Sequence, residues 1–142
     1  MIALDTNLLV YAYDKTSDDH ERALAAVTEV VESTSWALPW SVVHEYLKVL
    51  TNARTGGSVP LETAIGSVDA LLASPGVQTL AEPAGYWRML RRVIAESNAT
   101  GTRVFDARIA ATCLAHGVSE LWTADRHFGR FPGLRTRNPL IR

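Results

Sequence analysis

The chain opens with Met1-Ile2-Ala3-Leu4-Asp5-Thr6-Asn7, a short apolar run that ends at an aspartate. An unbroken apolar run at 2–4 is typical of a strand that is buried on both faces, as in a parallel sheet. Ligands of open α/β sheets bind beyond the carboxyl ends of the strands, where Asp5 would stand. The first seven residues therefore predict a parallel sheet with a carboxylate at its ligand-binding edge.

Outward from this strand, short apolar runs alternate with segments of helical periodicity. Further strands are predicted at 36–38, 77–80, 121–123 and 134–136. Helices are predicted over 18–33, 41–54, 60–72, 84–97 and 105–116. This alternation predicts an α/β fold of three layers, a mainly parallel central sheet with helices on both faces, and residues 1–142 suit a single domain.

Local signals suggest where several of these helices begin and end. Asp18 and Glu21 have the spacing of a capping box, and Ser41 is suited to cap the next helix. The run 56–58, Gly-Gly-Ser, is expected to end that helix, and Pro60 suits the first turn of the following one. Gly117 suits the position just past the end of the helix over 105–116.

The bulk composition restricts the class of protein. The only cysteine, Cys113, excludes an internal disulfide and is expected to be a small core residue. No apolar stretch approaches the roughly 20 residues that a membrane span needs, and the acidic start does not resemble a signal peptide. We therefore expect a cytoplasmic protein with no membrane association.

The net charge of −1 is low for a general nucleic-acid binder, but the charge is unevenly distributed. Residues 1–85 hold 4 Lys/Arg and 11 Asp/Glu, whereas residues 86–142 hold 10 Lys/Arg and 4 Asp/Glu. All ten of these later cations are arginines, whose guanidinium groups suit phosphate. A phosphate-binding surface and a merely solvated surface both remain open.

Four acidic residues from distant parts of the chain are predicted to meet at one edge of the sheet. Asp5 and Asp125 each follow a strand, Glu45 lies near the start of the helix after the second strand, and Asp106 begins a later helix. Asp5, Asp106 and Asp125 each have an ordinary alternative role, as a cap, a helix-start residue and a turn residue respectively. Glu45 is harder to explain in this way, because its neighbours are apolar and an unpaired buried glutamate would be costly. Four converging carboxylates would repel one another unless they bound a cation, and oxygen-only ligands suit Mg²⁺ or Mn²⁺.

The four segments that carry these acids resemble those of PIN-domain nucleases in order, spacing and length. The matching residues are Leu4-Asp5-Thr6-Asn7, His44-Glu45-Tyr46, Phe105-Asp106-Ala107 and Thr123-Ala124-Asp125-Arg126. The resemblance covers essentially the whole chain and is closest to the VapC-type toxins of toxin–antitoxin pairs. It implies a PIN-like fold, a Mg²⁺-dependent endoribonuclease, a homodimer, and inhibition by a small cognate antitoxin protein. One departure is His127, where many relatives carry a further acid, so the resemblance leaves open whether one metal ion or two would bind.

Residues beside the acids are candidates for supporting roles. The hydroxyls of Thr6 and Thr123 are expected to orient a carboxylate or a metal-bound water, and Asn7 is expected either to cap the following helix or to hold Asp5 in place. Arg108, Arg126 and His127 are candidates for contact with RNA phosphate, although either arginine could instead hold the acids through a salt bridge and His127 could be an ordinary loop residue.

An alternative to the nuclease is a non-catalytic PIN-like module that binds RNA or a protein partner. Loss of one or more acids would favour that alternative, and this chain has all four. The sequence identifies neither the RNA that is cut nor the antitoxin, and DNA stays open as a substrate.

Overall fold

The computed structural model describes residues 1–55 and 58–141 and contains a five-stranded sheet. The strands are β1 Ile2–Leu4, β2 Trp36–Pro39, β3 Val77–Leu80, β4 Glu120–Trp122 and β5 Thr136–Arg137. In the described ranges the α-helices are α1 Thr6–Tyr13, α2 His20–Val31, α3 Trp40–Thr51, α4 Leu61–Leu72, α5 Tyr86–Ser97 and α6 Arg103–Ala115. Two short 3₁₀ helices occupy Ala53–Thr55 and Arg126–Arg130.

The sheet is parallel throughout, with the strand order β3-β2-β1-β4-β5. Right-handed crossovers place α1 to α4 on one face and α5 and α6 on the other, which agrees with the packing of α1 on α2 and α3, of α3 on α4, and of α5 on α6. The predicted three-layer α/β fold is therefore confirmed. The crossovers change direction between β1 and β4, and such a switch point is where a parallel sheet opens a crevice.

The core lies on both faces of the central strands. Ala3 and Leu4 in β1 and every residue of β2 are buried. Trp36 and Trp122 are the largest fully buried side chains, and Cys113 is completely buried in the same core cluster. These positions explain why the strands read as unbroken apolar runs in the sequence.

Two of the predicted helix starts are wrong. Asp18 and Glu21 form no capping box, because the chain still turns at Ser17–His20 and α2 begins at His20, after Asp19. Ser41 does not cap α3, because Pro39 occupies the cap position and Ser41 lies inside the first turn.

Most of the remaining element ends agree with the sequence to within two residues, but α1 was not among the predicted helices, and α3 ends three residues before the predicted end at 54. Gly117 follows α6 with φ +67°, the left-handed conformation expected at a helix C-terminus, and Pro60 stands directly before α4. Gly56 and Gly57, predicted to end the third helix, lie outside the described residues, and α3 already stops at Thr51. No helix among the described residues combines the length and apolarity needed to cross a membrane.

Candidate active site

The four acidic residues lie around the carboxyl edge of the sheet at the switch point. Asp5 follows β1 directly, Asp125 lies three residues beyond β4, Asp106 is in the first turn of α6, and Glu45 is in the second turn of α3. A cleft of about 480 Å³, within the size range of ligand sites, opens between α3 and α6. Its lining includes Ser41, His44, Glu45, Lys48, Phe105, Asp106 and Arg108.

Asp5 is held by hydrogen bonds from three neutral donors. Its Oδ1 accepts the backbone N–H of Thr6 at 2.7 Å, which makes Asp5 the N-cap of α1. Its Oδ2 accepts the Thr123 hydroxyl at 2.7 Å and the Asn7 side-chain amide at 3.2 Å. The residue is only 4% exposed, so the position of its carboxylate is fixed by the ends of β1 and β4 rather than by solvent.

Thr123 and Asn7 link this carboxylate to the loop that carries Asp125. The Thr123 hydroxyl oxygen accepts the backbone N–H of Asp125 at 3.0 Å while donating to Asp5. The Asn7 side chain accepts the backbone N–H of Ala124 at 3.1 Å. Both residues therefore connect the carboxylate of Asp5 to the loop after β4, which is the geometry that their predicted supporting role requires.

The Thr6 hydroxyl does not contact Asp5, and its alternative role in orienting a metal-bound water stays a prediction. The backbone of Thr6, not its side chain, contacts the carboxylate. The buried Thr6 Oγ1 has no hydrogen-bond partner in the described part of the chain, and the same holds for Ser41 Oγ in the cleft wall.

Asp106 and Asp125 are joined by a cation that the sequence analysis missed. Nη1 of Arg103 lies 2.9 Å from Asp106 Oδ2 and 3.6 Å from Asp125 Oδ2. The signal was present, because Arg103 precedes Asp106 by three residues and side chains at that spacing meet on a helix. Its contact with Asp125 depends on how α6 packs beside β4, which no local pattern encodes.

Burial and neighbouring negative charge raise the pKa of two of the four acids, Asp5 and Glu45. Burial is the largest cause that raises the pKa of Asp5 to about 6, and the charges of Glu45 and Asp106 add to it against the lowering effect of the Thr123 and Thr6 hydrogen bonds. Partial burial of the carboxyl group, then the charge of Asp106, raises the pKa of Glu45. Glu45 is nevertheless an exposed residue, so the expectation that it is buried is wrong.

The other cationic candidates do not pair with the acids. Arg108 lines the cleft but forms its ion pair with Glu82. Arg126 is exposed and forms no ion pair in the described residues, and the backbone of His127 donates to Asp125 Oδ1. The arginine that holds the acids by salt bridges is thus neither Arg108 nor Arg126 but Arg103.

The donor set suits a hard divalent cation in chemistry and charge. The four candidate ligands are all carboxylates. Burial, with a contribution from neighbouring negative charge, raises the pKa of Asp5 and Glu45, and Arg103 supplies a positive charge between Asp106 and Asp125. Among the described residues, however, no three side chains of ligand type are close enough to enclose an ion. Binding of a cation by these acids would therefore require side-chain movement, and Asp106 and Asp125 would have to leave Arg103.

Comparison with protein families identifies the class of this domain. The model of the PIN domain family matches residues 2–134, which includes all four acids. This chain belongs to the PIN-domain family.

Named relatives of this PIN domain share most of its length. Ribonuclease VapC43 of Mycobacterium tuberculosis is 34% identical over 99% of this chain and 96% of its own length. Ribonuclease VapC48 of the same organism is 31% identical over 95% of this chain and 94% of its own length. The fold is shared with a chain in the crystal structure of VapBC2 from Rickettsia felis bound to a promoter DNA fragment, with a TM-score of 0.72, 22% identity, and coverage of 97% of this chain and 98% of that chain.

Proposed function

We propose that this PIN domain is a Mg²⁺-dependent endoribonuclease, with Mn²⁺ as a substitute ion. The observation that carries the proposal is the convergence of Asp5, Glu45, Asp106 and Asp125 at the switch point of the sheet. The relatives named ribonucleases support RNA as the substrate. A divalent ion bound by these carboxylates supplies Lewis-acid chemistry, since it lowers the pKa of water and offsets negative charge on a phosphodiester.

The chain's own residues would prepare the site in distinct ways. Asp5 is held by hydrogen bonds from Thr123 and Asn7, so the position of its carboxylate is already ordered before an ion binds. Glu45 and Asp106 face the cleft, where RNA would enter. Arg108, Arg126 and His127 are proposed to offset phosphate charge, since arginine pairs with phosphate through a planar fork. Hydrolysis by water would leave 5′-phosphate and 3′-hydroxyl ends.

The decisive experiment is cleavage of end-labelled total RNA by the purified full chain with Mg²⁺ or with EDTA. Asp106→Ala and Glu45→Ala should abolish cleavage, whereas Arg92→Gln, which removes an exposed charge paired with Glu96, should leave it unchanged. Products with 2′,3′-cyclic phosphate ends would contradict attack by water. Absence of cleavage by folded wild-type protein on several RNAs would favour a non-catalytic binding module, and matched DNA would test for a DNase.

We further infer that the protein acts in the cytoplasm as the toxin of a toxin–antitoxin pair and forms a homodimer. VapC names among the relatives and VapBC complexes among the structural neighbours support this inference. Induced wild-type protein should arrest bacterial growth, the Asp106→Ala variant should not, and a small antitoxin encoded beside the gene should restore growth. Light scattering on the purified chain tests the dimer, and a monomer at micromolar concentration would contradict it.

A further inference from the structure

Arg103 makes the only ion pairs that the described residues offer to the four acids. Its guanidinium reaches from the first turn of α6 to the loop after β4, and so connects two elements of the site. Asp5, by contrast, is held entirely by neutral donors. Asp5 is therefore fixed without a cation, whereas Asp106 and Asp125 share the guanidinium of Arg103.

In Asp125, the oxygen that lies near Arg103 is the one that the backbone leaves available to an ion. Both contacts are made by Oδ2, of Asp106 and of Asp125, and the other oxygen of Asp125 already accepts the backbone N–H of His127. A divalent ion shared by both residues would take the place of the guanidinium, since two cations in one position repel each other.

We propose that Arg103 is an internal competitor of the divalent ion, which holds Asp106 and Asp125 together in the metal-free protein and leaves them when the ion binds. This inference rests on the proposed metal-dependent function. Arg103 is then a positioning residue that sets how much metal the nuclease requires.

The exposure of Arg103 limits the strength of this competition. Its side chain is 43% exposed, and those of Asp106 and Asp125 are 21% and 30% exposed. Ion pairs of this kind are weak and solvent-screened, so removing Arg103 should tighten metal binding by about threefold to tenfold. The arginine can therefore be displaced at ordinary metal concentrations, whereas a buried pair would resist displacement.

The test compares the full chain with Arg103→Gln and Arg103→Lys by calorimetric titration with Mn²⁺ after treatment with EDTA. Arg103→Gln should bind Mn²⁺ about threefold to tenfold more tightly and unfold about 2–4 °C lower without metal, because its carboxylates lose their counter-charge. Arg103→Lys should lie between the two, since one ammonium group cannot span both carboxylates as a fork does. Arg108→Gln removes the same charge from the same helix without freeing a site acid, and should change the affinity much less.

Four results would overturn the inference. Unchanged or weaker Mn²⁺ binding by Arg103→Gln would mean that Arg103 does not compete with the ion. An equal gain in Arg108→Gln would show a general charge effect. If Arg103→Gln does not fold, Arg103→Lys becomes the test instead, and a Mn²⁺ affinity equal to that of wild type would then exclude the competition. The absence of Mn²⁺ binding in every variant, including wild type, would instead contradict the proposed function itself, and the inference with it.

Discussion

Asp5 carries its charge in an unfavourable place, which makes the stability of the metal-free protein depend on pH. Its pKa is raised to about 6, mainly by burial, so the carboxylate binds a proton at a higher pH in the folded protein than in the unfolded chain. The resulting stabilisation is fully present below the ordinary value of 3.8 and is lost as the pH rises through about 6. In EDTA, the free energy of unfolding should therefore rise by roughly 2 kcal/mol from this group between pH 7 and pH 4.

Asp5→Asn is the control for this pH effect because it has no carboxyl group to titrate. The quantity to measure is the difference in unfolding free energy between wild type and Asp5→Asn across the pH range, which cancels the titration of other groups. A difference that stays constant with pH would contradict the raised pKa of Asp5.

Thr123 allows a second test at the level of a single hydroxyl group. Thr123→Val keeps the shape of the side chain but removes the donor to Asp5 and the acceptor of the Asp125 N–H. We expect a loss of about 1–3 kcal/mol in stability and a loss of about 10–100-fold in RNA cleavage. Thr123→Ser keeps the hydroxyl and should recover most of both, so equal defects in the two variants would assign the effect to packing instead.

The residues of the site differ in how far the sequence could reveal them. Each of the four acids follows a strand or lies near the start of a helix, so topology alone brings them to one edge. The contact of Arg103 with Asp125 could not be foreseen, because it joins α6 to the loop after β4. The contact between Thr6 and Asp5 is made by the backbone N–H of Thr6. Nearly every residue carries this group, so the identity of the side chain at position 6 could not reveal the contact.

At the scale of elements, the connection between α4 and β3 depends on one close approach. A Cβ atom on Gly76 would lie 2.4 Å from the carbonyl oxygen of Ser33, and backbone cannot move aside easily. We expect Gly76→Ala to lower the free energy of unfolding by about 1–3 kcal/mol. Gly66→Ala in α4 has open space around the new methyl group and should stabilise the helix by about 0.5–1 kcal/mol, so urea unfolding of both variants separates crowding from helix propensity.

Elements were predictable where a strong signal stood alone and less so where signals competed. The apolar runs located the central strands because burial on both faces leaves no polar alternation. The start of α2 was misplaced because Ser17, Asp18 and Asp19 are all capping types, and only the turn at Ser17–His20 selects among them. β5 begins two residues later than predicted, since its exposed residues carry no burial pattern.

At the scale of the whole molecule, the net charge of −1 gives little long-range attraction for RNA, so affinity must come from local contacts. The arginines of residues 86–142 lie at different distances from the acidic site along the fold: some are on α5, and one adjoins a site acid. Arg88, Arg91 and Arg92 are exposed on α5, which contributes no residue to the cleft, whereas Arg126 is exposed beside Asp125. The sequence showed the excess of arginine, and the fold decides which of these side chains stand beside the acids.

The salt dependence of RNA binding distinguishes these two groups of arginines. Metal-free protein in EDTA should bind a single-stranded RNA without cutting it, with an affinity that falls as salt rises. If Arg126 contacts one phosphate, Arg126→Gln should reduce the slope of log K against log salt by about 0.7. Arg91→Gln should leave that slope unchanged, because α5 carries none of the four acids and contributes no residue to the cleft wall, whereas Arg126 adjoins Asp125. An equal reduction by Arg91→Gln would move the RNA path onto α5, and no reduction by Arg126→Gln would remove that arginine from the phosphate contacts.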